Sequence, residues 1–387
     1  MKIGLFSDTY FPKTNGVATS VLMLKENLEA NGHEVYVFTT TDPEMTGPEY
    51  NVTRIPSIPF KKQRLGVVIS PALLRYVKSL SLDIIHTHTE FTLGCLGRIM
   101  AKRLRIPAVH TMHTIYEYYT GYIIRAELFD PVFRTTIRKL TAVFCNGADT
   151  VIVPSGKTEA LIKEYGVRKD IRVIPTGIPL DRFAAQNYDP NKTVTIRSDL
   201  GIEEFNKILL SIGRVSHEKN LDMLLISLKE YLTSNPLVRI LIVGDGPARK
   251  DLEKLAKDLQ IHEQIIFAGS RPWTDIHLYY RLGDVFIGAS ESETQGLTYI
   301  EAMASGCPVV AKEDRCLDDL LINGENGYFF NDAQRLSSAI EQLLGDDEML
   351  QRFAQKASES AQKFSANTYA GSVSEVYTAL VASKESA

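Results

Sequence analysis

Short apolar runs along this chain are separated by segments whose apolar positions recur at helical spacing. KIGLF over residues 2–6 predicts a first strand, SDTYFPKTNG a loop, and Val17 to Ala30 a helix that Asn31-Gly32 ends. EVYVFTT follows as a second strand. This β-loop-α-β opening is how a doubly wound α/β domain begins. The same pattern predicts strands at Asp83–Thr87, Ala108–Thr111, Thr150–Val153 and Ile171–Ile174. It predicts helices around Pro71–Ser79, Leu93–Leu104, Pro131–Phe144 and Lys157–Tyr165, the last with Ser155 as N-cap and Gly166 just past its end.

The periodicity loosens over residues 181–205, and a second α/β series then starts with KILLSI at 207–212. RILIVG, QIIFAG, DVFIGA, CPVVA and GYFF repeat the alternation, with helices predicted at Lys219–Tyr231 and Arg249–Leu259. An amphipathic helix at 367–382 closes the chain. The expected fold class is therefore α/β with two Rossmann-like domains, residues 1–182 and 206–366, joined by a linker region at 183–205. A cleft between two such domains is the default place for a ligand.

Composition narrows the class. At 387 residues, 44% apolar and 23% charged, the chain is long enough for two packed domains and is not of disordered type. Its four cysteines, Cys95, Cys145, Cys307 and Cys316, form no C-x-x-C pair, which points to free thiols in a reducing compartment. The first residues carry charge too early for a secretory signal, and no apolar stretch is long enough to span a bilayer. Net charge is −4 but uneven: residues 1–183 hold 23 Lys and Arg against 17 Asp and Glu, a net +6, and the remainder is −10. A basic first half fits an anionic membrane surface, nucleic acid or an acidic substrate, and equally a chance imbalance over many surface positions.

Residues 288–310, GASESETQGLTYIEAMASGCPVV, carry the densest chemistry. They read as a strand end, a loop with Glu293, and a helix from Leu297 to Ser305 that Gly306 ends. The free amides of a helix start beside Gly296 make an anion site, and acidic groups nearby can hold sugar hydroxyls. Glu293 and Glu301 can point at one ligand only if Glu293 lies on the loop. Gly213-Arg214 followed by Lys219 suits a diphosphate, Arg by its planar fork and Lys as a point charge. With Ser216 as cap, Lys219 falls in a helix's first turn, where a cation opposes the dipole. A broken local rule of that kind points to function.

Other motifs divide between chemistry and architecture. Gly16 at the first helix start allows close approach to a phosphate or sugar, and Asn15-Gly16 is equally a common turn. No G-x-G-x-x-G follows the first strand, and the second ends in threonines rather than an acid for ribose, which argues against a dinucleotide dehydrogenase. Gly156-Lys157-Thr158 ends like a P-loop, but Val151 stands where its first glycine belongs. No D-x-D is present to grip a metal-bound nucleotide sugar. His86, His88, His110 and His113 sit near strand ends, either as metal ligands or as hydrogen-bonded lining residues. Over 115–144, Tyr116, Tyr118, Tyr119, Tyr122, Phe129, Phe133 and Phe144 interleave with Arg125, Arg134, Arg138 and Lys139. That stretch suits an interfacial membrane contact or a core helix with a charged outer face.

Together the Gly16 loop, Gly213-Arg214 with Lys219, and Glu293 with Glu301 resemble the retaining GT-B glycosyltransferases of family 4. The resemblance spans nearly the whole chain. It implies two facing domains, the acceptor mainly on the first and the nucleotide sugar mainly on the second, with the C-terminal helix crossing back to the first. It implies no metal and no other cofactor. By the same carry-over Arg214 and Lys219 bind the donor diphosphate and Glu293 contacts the transferred sugar. Gln295, Gly296, Leu297 and Thr298 line the donor, Glu301 holds the ribose, Gly16 packs on the diphosphate or sugar, and His113 lines the reaction centre.

SETQGLTYIEAM, HTHTEFTLG, the segment after His113 and the opening GLFSDTYFPKTNGVATS further resemble the bacterial diacylglycerol glucosyltransferases within that family. Met112 departs from them, since an aromatic often stands beside the histidine there. The partners so implied are UDP-glucose, diacylglycerol and an anionic membrane surface at the cytoplasmic face, with no nucleic acid. Tyr116, Tyr119, Tyr122, Arg125, Phe129, Phe133, Arg134, Arg138 and Lys139 are the expected membrane and acceptor contacts. Other readings are a soluble or already glycosylated acceptor, a different hexose donor, or an inactive binding module, against which the intact site residues speak.

Overall fold

The structure, a computed structural model, describes residues 1–13, 15–45, 47–60, 63–67, 70–119, 130–184 and 188–385. It divides into two units, Met1–Gly177 with Ala366–Ala387, and Ile178–Ser365. Among the described residues no disulfide joins the four cysteines, of which all but Cys95 are buried.

In the first unit the strands β1 (Lys2–Phe6), β2 (Glu34–Thr40), β3 (Val52–Ile55), β6 (Ile84–Thr87), β7 (Ala108–Thr111), β8 (Thr150–Val153) and β9 (Asp170–Val173) form one sheet. Its order is β3-β2-β1-β6-β7-β8-β9, and every pairing is parallel. Alternate residues serve opposite faces. Ile3, Leu5, Ile84, Val109 and Ile152 pack with helix α1 (Gly16–Ala30) and the C-terminal helix α14 (Ala366–Glu385). Phe6 and Ile85 meet α2 (Pro71–Ser79) and α3 (Thr92–Leu104), while Val151 and Val153 meet α4 (Asp130–Cys145) and α5 (Gly156–Glu164). Strand order reverses between β1 and β6, so the loops after those two strands form the natural ligand crevice of this unit. A short hairpin, β4 (Ser57–Phe60) with β5 (Gln63–Gly66), is antiparallel and lies outside the main sheet. Its runs are short, and Pro59 within β4 blurs the strand pattern.

The second unit holds β10 (Lys207–Ile212), β11 (Val238–Val243), β12 (Ile265–Gly269), β13 (Val285–Gly288), β14 (Val309–Lys312) and β15 (Gly327–Phe330). They make a parallel sheet of order β12-β11-β10-β13-β14-β15, with its reversal between β10 and β13. One face packs on α8 (Leu221–Ser234), α9 (Arg249–Asp258) and α12 (Ala333–Leu344). The other packs on α10 (Ile276–Tyr280) and α11 (Leu297–Ala304), with Ala357 and Ala361 of α13 (Asp347–Ala361).

Residues 183–205, expected as a linker, belong instead to the second unit, which begins at Ile178. The turn α6 (Leu180–Phe183) and helix α7 (Pro190–Asp199) stand there, the latter capped by the Asp189 side chain. Phe183 and Ile202 are buried in the core of that unit, and Ile196 and Leu200 pack against it. The segment reads as polar because only one side of a single short helix is covered, so few apolar positions recur.

Candidate active site

Strands β10 and β13 pair in parallel, so their C-terminal ends release two loops side by side. The first runs Gly213-Arg214-Val215-Ser216 and is fixed closely to its neighbour: a Cβ on Gly244 would stand 1.8 Å from the Gly213 carbonyl oxygen. Val215 N donates to Asp245 O and Ala248 N to Val215 O, both at 3.1 Å. The second loop carries Glu293. Two hydrogen bonds tie the loops together, Asn220 Nδ2 to Ala289 O at 3.1 Å and Ser290 Oγ to Glu218 O at 3.3 Å. They bring Lys219 Nζ against Glu293 Oε1. Gly213, Arg214, Lys219, Gly288, Glu293 and Thr298 line one concavity.

Lys219 is not in a helix's first turn as the sequence predicts. It ends a 3-10 turn, His217–Lys219, and α8 starts two residues later after Asn220 in the left-handed region (φ 49°). Ser216 makes no capping bond to backbone; its hydroxyl donates to Glu218 Oε1 at 2.6 Å. No helix dipole therefore opposes this cation. The cation is placed by the turn and by Glu293.

Gly296 caps α11 at φ 80°, a conformation that strains other residues, and no side chain caps this helix. Leu297 and Thr298 therefore present first-turn amides with no intrahelical acceptor. Positive ends of that kind stabilise anions. Gln295 is buried beside them. Glu301 sits on the helix itself and takes a 2.6 Å hydrogen bond from Tyr280 O–H. Burial pushes its carboxyl up to about 7, opposed by that bond and by the Arg182 charge.

The first unit gathers four histidines at the C-terminal ends of β6 and β7, His86 and His110 within the strands and His88 and His113 just beyond them. His86 is buried between Tyr377 O–H (Nδ1, 2.6 Å) and Thr111 Oγ1 (Nε2, 2.6 Å). Its ring lies 4.0 Å from that of His88, and His88 Nδ1 is 3.1 Å from His113 Nε2. Burial holds His86 and His88 well below the ordinary imidazole range. It takes His113 to about 3, with the His110 charge adding to the fall, although part of that ring reaches the surface. His110 Nδ1 is 3.0 Å from Thr87 O, and its Nε2 is 3.3 Å from Glu90 Oε1. Among the described residues no group of three or more His, Cys, Asp or Glu is arranged to hold a metal.

Gly16 is the exposed first residue of α1, whose cap Asn15 accepts from Ala18 N at 3.0 Å. Earlier in the same loop stands Asp8, which sequence reasoning passed over. Its buried carboxylate accepts from Thr89 Oγ1 (2.6 Å), Leu93 N (3.1 Å) and Thr92 Oγ1, and so caps α3 from across the sheet. Phe91, the residue at the cap position itself, offers no such bond. Nothing local to α3 betrays this partner, 85 positions away.

Of the expected membrane and acceptor contacts, Tyr122, Arg125 and Phe129 lie outside the described residues. Tyr116 and Tyr119 bound a 3-10 turn, and Tyr116 O–H donates to Glu90 Oε2 at 2.5 Å. Arg138 lays its guanidinium on Glu117 at 2.5 and 2.9 Å, which holds that carboxyl below its usual range. Its charge is thereby largely matched. Phe133 is half-buried, while Arg134 and Lys139 are exposed on α4 beside Val132 (69% exposed), Leu140 (63%) and Val143 (69%).

Residues 14–182 match the model of Glycosyltransferase Family 4, and residues 193–360 that of Glycosyl transferases group 1. The chain is 40% identical to the alpha-monoglucosyldiacylglycerol synthase of Streptococcus pneumoniae, over 97% of this chain and 85% of that one. It is 33% identical to the protein of the same name from Acholeplasma laidlawii, over 98% of each. The crystal structure of Anabaena HepE with UDP and glucose superposes with a TM-score of 0.78 at 22% identity, over 98% of this chain and 100% of that one. At that identity the likeness speaks for the fold.

Proposed function

The chain belongs to glycosyltransferase family 4, and from that premise we propose that it transfers glucose from UDP-glucose to the 3-hydroxyl of 1,2-diacylglycerol with retention at the anomeric carbon. Near-full-length identity to two alpha-monoglucosyldiacylglycerol synthases carries this reading. The bond from glucose C1 to the β-phosphate oxygen breaks, and UDP leaves with the electron pair. A bond from C1 to the acceptor oxygen forms on the same face. The acceptor proton passes to the leaving phosphate.

Charge builds on that phosphate in an oxocarbenium-like transition state, and the second unit is equipped to receive it. Arg214 and Lys219 are its cations, and the first-turn amides of α11 are preorganised donors. Glu293, seated on Lys219, accepts from hydroxyls of the glucosyl unit. Glu301 as carboxylate accepts from the ribose. Gly16 leaves room for the diphosphate or sugar, and His113 is assigned to the glucosyl hydroxyls. No metal takes part in this scheme, so turnover persists with a chelator present.

The lipid acceptor lies in a membrane, and no helix among the described residues is long and apolar enough to cross one. We place the enzyme on the inner face of the cell membrane as a peripheral protein. Exposed Val132, Leu140 and Val143 on α4, with Arg134 and Lys139, support contact with an anionic surface. Exposed Ile99, Lys102 and Arg103 on α3 add to the same character. UDP release across a panel of nucleotide sugars, with and without diacylglycerol in anionic vesicles, tests the reading. Turnover confined to soluble acceptors overturns it.

A further inference from the structure

Tyr280 ends α10 with its side chain wholly out of water, and no step of the chemistry above uses it. Helices α10 and α11 pack on the same face of the second unit's sheet, so a phenol on one reaches a carboxyl on the next. The ring is held by two aromatic neighbours. Phe183 of the turn α6 meets it edge-on, with centroids 5.8 Å apart at 75°, and Phe286 of β13 lies at 6.1 Å. A buried phenolic O–H needs a partner, and this one donates to Glu301 Oε2 at 2.6 Å. Burial and the Glu301 charge push the phenol well above its ordinary range, so it keeps its proton and is the donor to the ionised carboxylate.

Glu301 is only partly buried. Its Oε2 is taken by Tyr280, while among the described residues nothing pairs with Oε1, and that oxygen is not sealed from solvent. A glutamate left to itself samples many rotamers, and a ligand that selects one of them gives up binding energy to do so. Tyr280 removes that freedom from the core side and leaves the other oxygen able to meet a ligand. Two further groups bear on the pair. The Arg182 charge, from α6, favours the ionised carboxyl. Cys307, just past α11, bears on Tyr280, and burial keeps its thiol neutral.

We propose that Tyr280 is a positioning residue that anchors Oε2 of Glu301 and so holds Oε1 in place to accept from a ribose hydroxyl of the donor nucleotide. Tyr280 is itself wholly buried and acts only through that carboxylate. The inference rests on the assignment of Glu301 to the ribose, and it adds the group that orients it.

Titration calorimetry with UDP and with its 2′,3′-dideoxy analogue reads the ribose contact with no acceptor present. Tyr280→Phe keeps the packed ring and removes only the hydroxyl. The native protein should bind UDP about tenfold more tightly than the analogue. In Tyr280→Phe the affinity for UDP should fall by about tenfold and that for the analogue by no more than about twofold, so that the preference is lost. The pH at which UDP affinity drops should also move up in that variant, because a bond that favours the ionised carboxyl is gone. Added to Glu301→Ala, Tyr280→Phe should cost nothing further. Equal losses for both ligands overturn the proposal, as does a preference that survives Tyr280→Phe or a full further loss on top of Glu301→Ala. Equal affinity of the native protein for UDP and the analogue refutes the ribose role of Glu301 itself, and the proposal falls with it, while binding of UDP still upholds the donor class.

Discussion

Lys219 Nζ is seated on Oε1 of Glu293, joining residues 74 positions apart and setting a cation beside the helix start of α11. Each holds the other at the edge of the same concavity as Arg214. The pair is partly exposed, so its contribution to stability is small and its value lies in placement.

Lys219→Ala removes a cation from the leaving diphosphate and its ion pair from Glu293. Lys219→Ala and Arg214→Ala should each lower kcat/KM by about 3–4 kcal/mol of transition-state stabilisation, two to three orders of magnitude, with little change in melting temperature. Steady-state kinetics with UDP-glucose checks this. Near-native turnover in both variants contradicts the donor assignment.

Glu301 gives a pH signature. Its folded pKa, about 7, lies above the usual 4.5 because burial disfavours the charge. As ribose ligand it must be ionised, so KM for UDP-glucose should rise as pH falls through about 7. Stability of the free enzyme should show the opposite trend. The native state holds a proton that the unfolded chain has lost, so melting temperature falls as pH rises from about 4.5 to 7, by about 3 kcal/mol of stability at most. Glu301→Gln should flatten both curves; a KM that stays pH-dependent in that variant contradicts the assignment.

Asp8 was invisible for a physical reason that also limits the rest of the sequence reading. Strands, helices and the motifs at Arg214, Lys219, Glu293 and Glu301 are legible because periodicity and short spacings record them locally. The cap that Asp8 supplies to α3, the bond from Tyr280 on α10 to Glu301 on α11, and the cluster of His86, His88 and His113 depend on which elements the sheets bring together. That information lies in sheet order. Lys219 shows the converse error: a local helix rule applied where a 3-10 turn and a left-handed Asn220 intervene.

Asp8→Ala leaves α3 without its cap and the hydroxyls of Thr89 and Thr92 without their acceptor. The expected loss is about 2–3 kcal/mol of stability. Denaturant unfolding should show it as a lowered midpoint. An unfolding midpoint equal to that of the native protein rules out the capping role.

Leu140→Asp with Val143→Asp puts two like charges on the exposed face of α4 without disturbing the core. Each charge should cost about 1 kcal/mol of affinity for anionic vesicles, roughly fivefold in partitioning. Flotation measures it, and turnover with lipid should fall in step at low vesicle concentration. Unchanged flotation places the membrane contact elsewhere.

The most direct test of the central claim is the product itself. Enzyme incubated with UDP-glucose and diacylglycerol in anionic vesicles, with a chelator present, should release UDP and yield one glucosyl lipid whose anomeric proton resonance is that of the α configuration. A β-linked product, or UDP release with no glucose on the lipid, contradicts a retaining transfer to diacylglycerol.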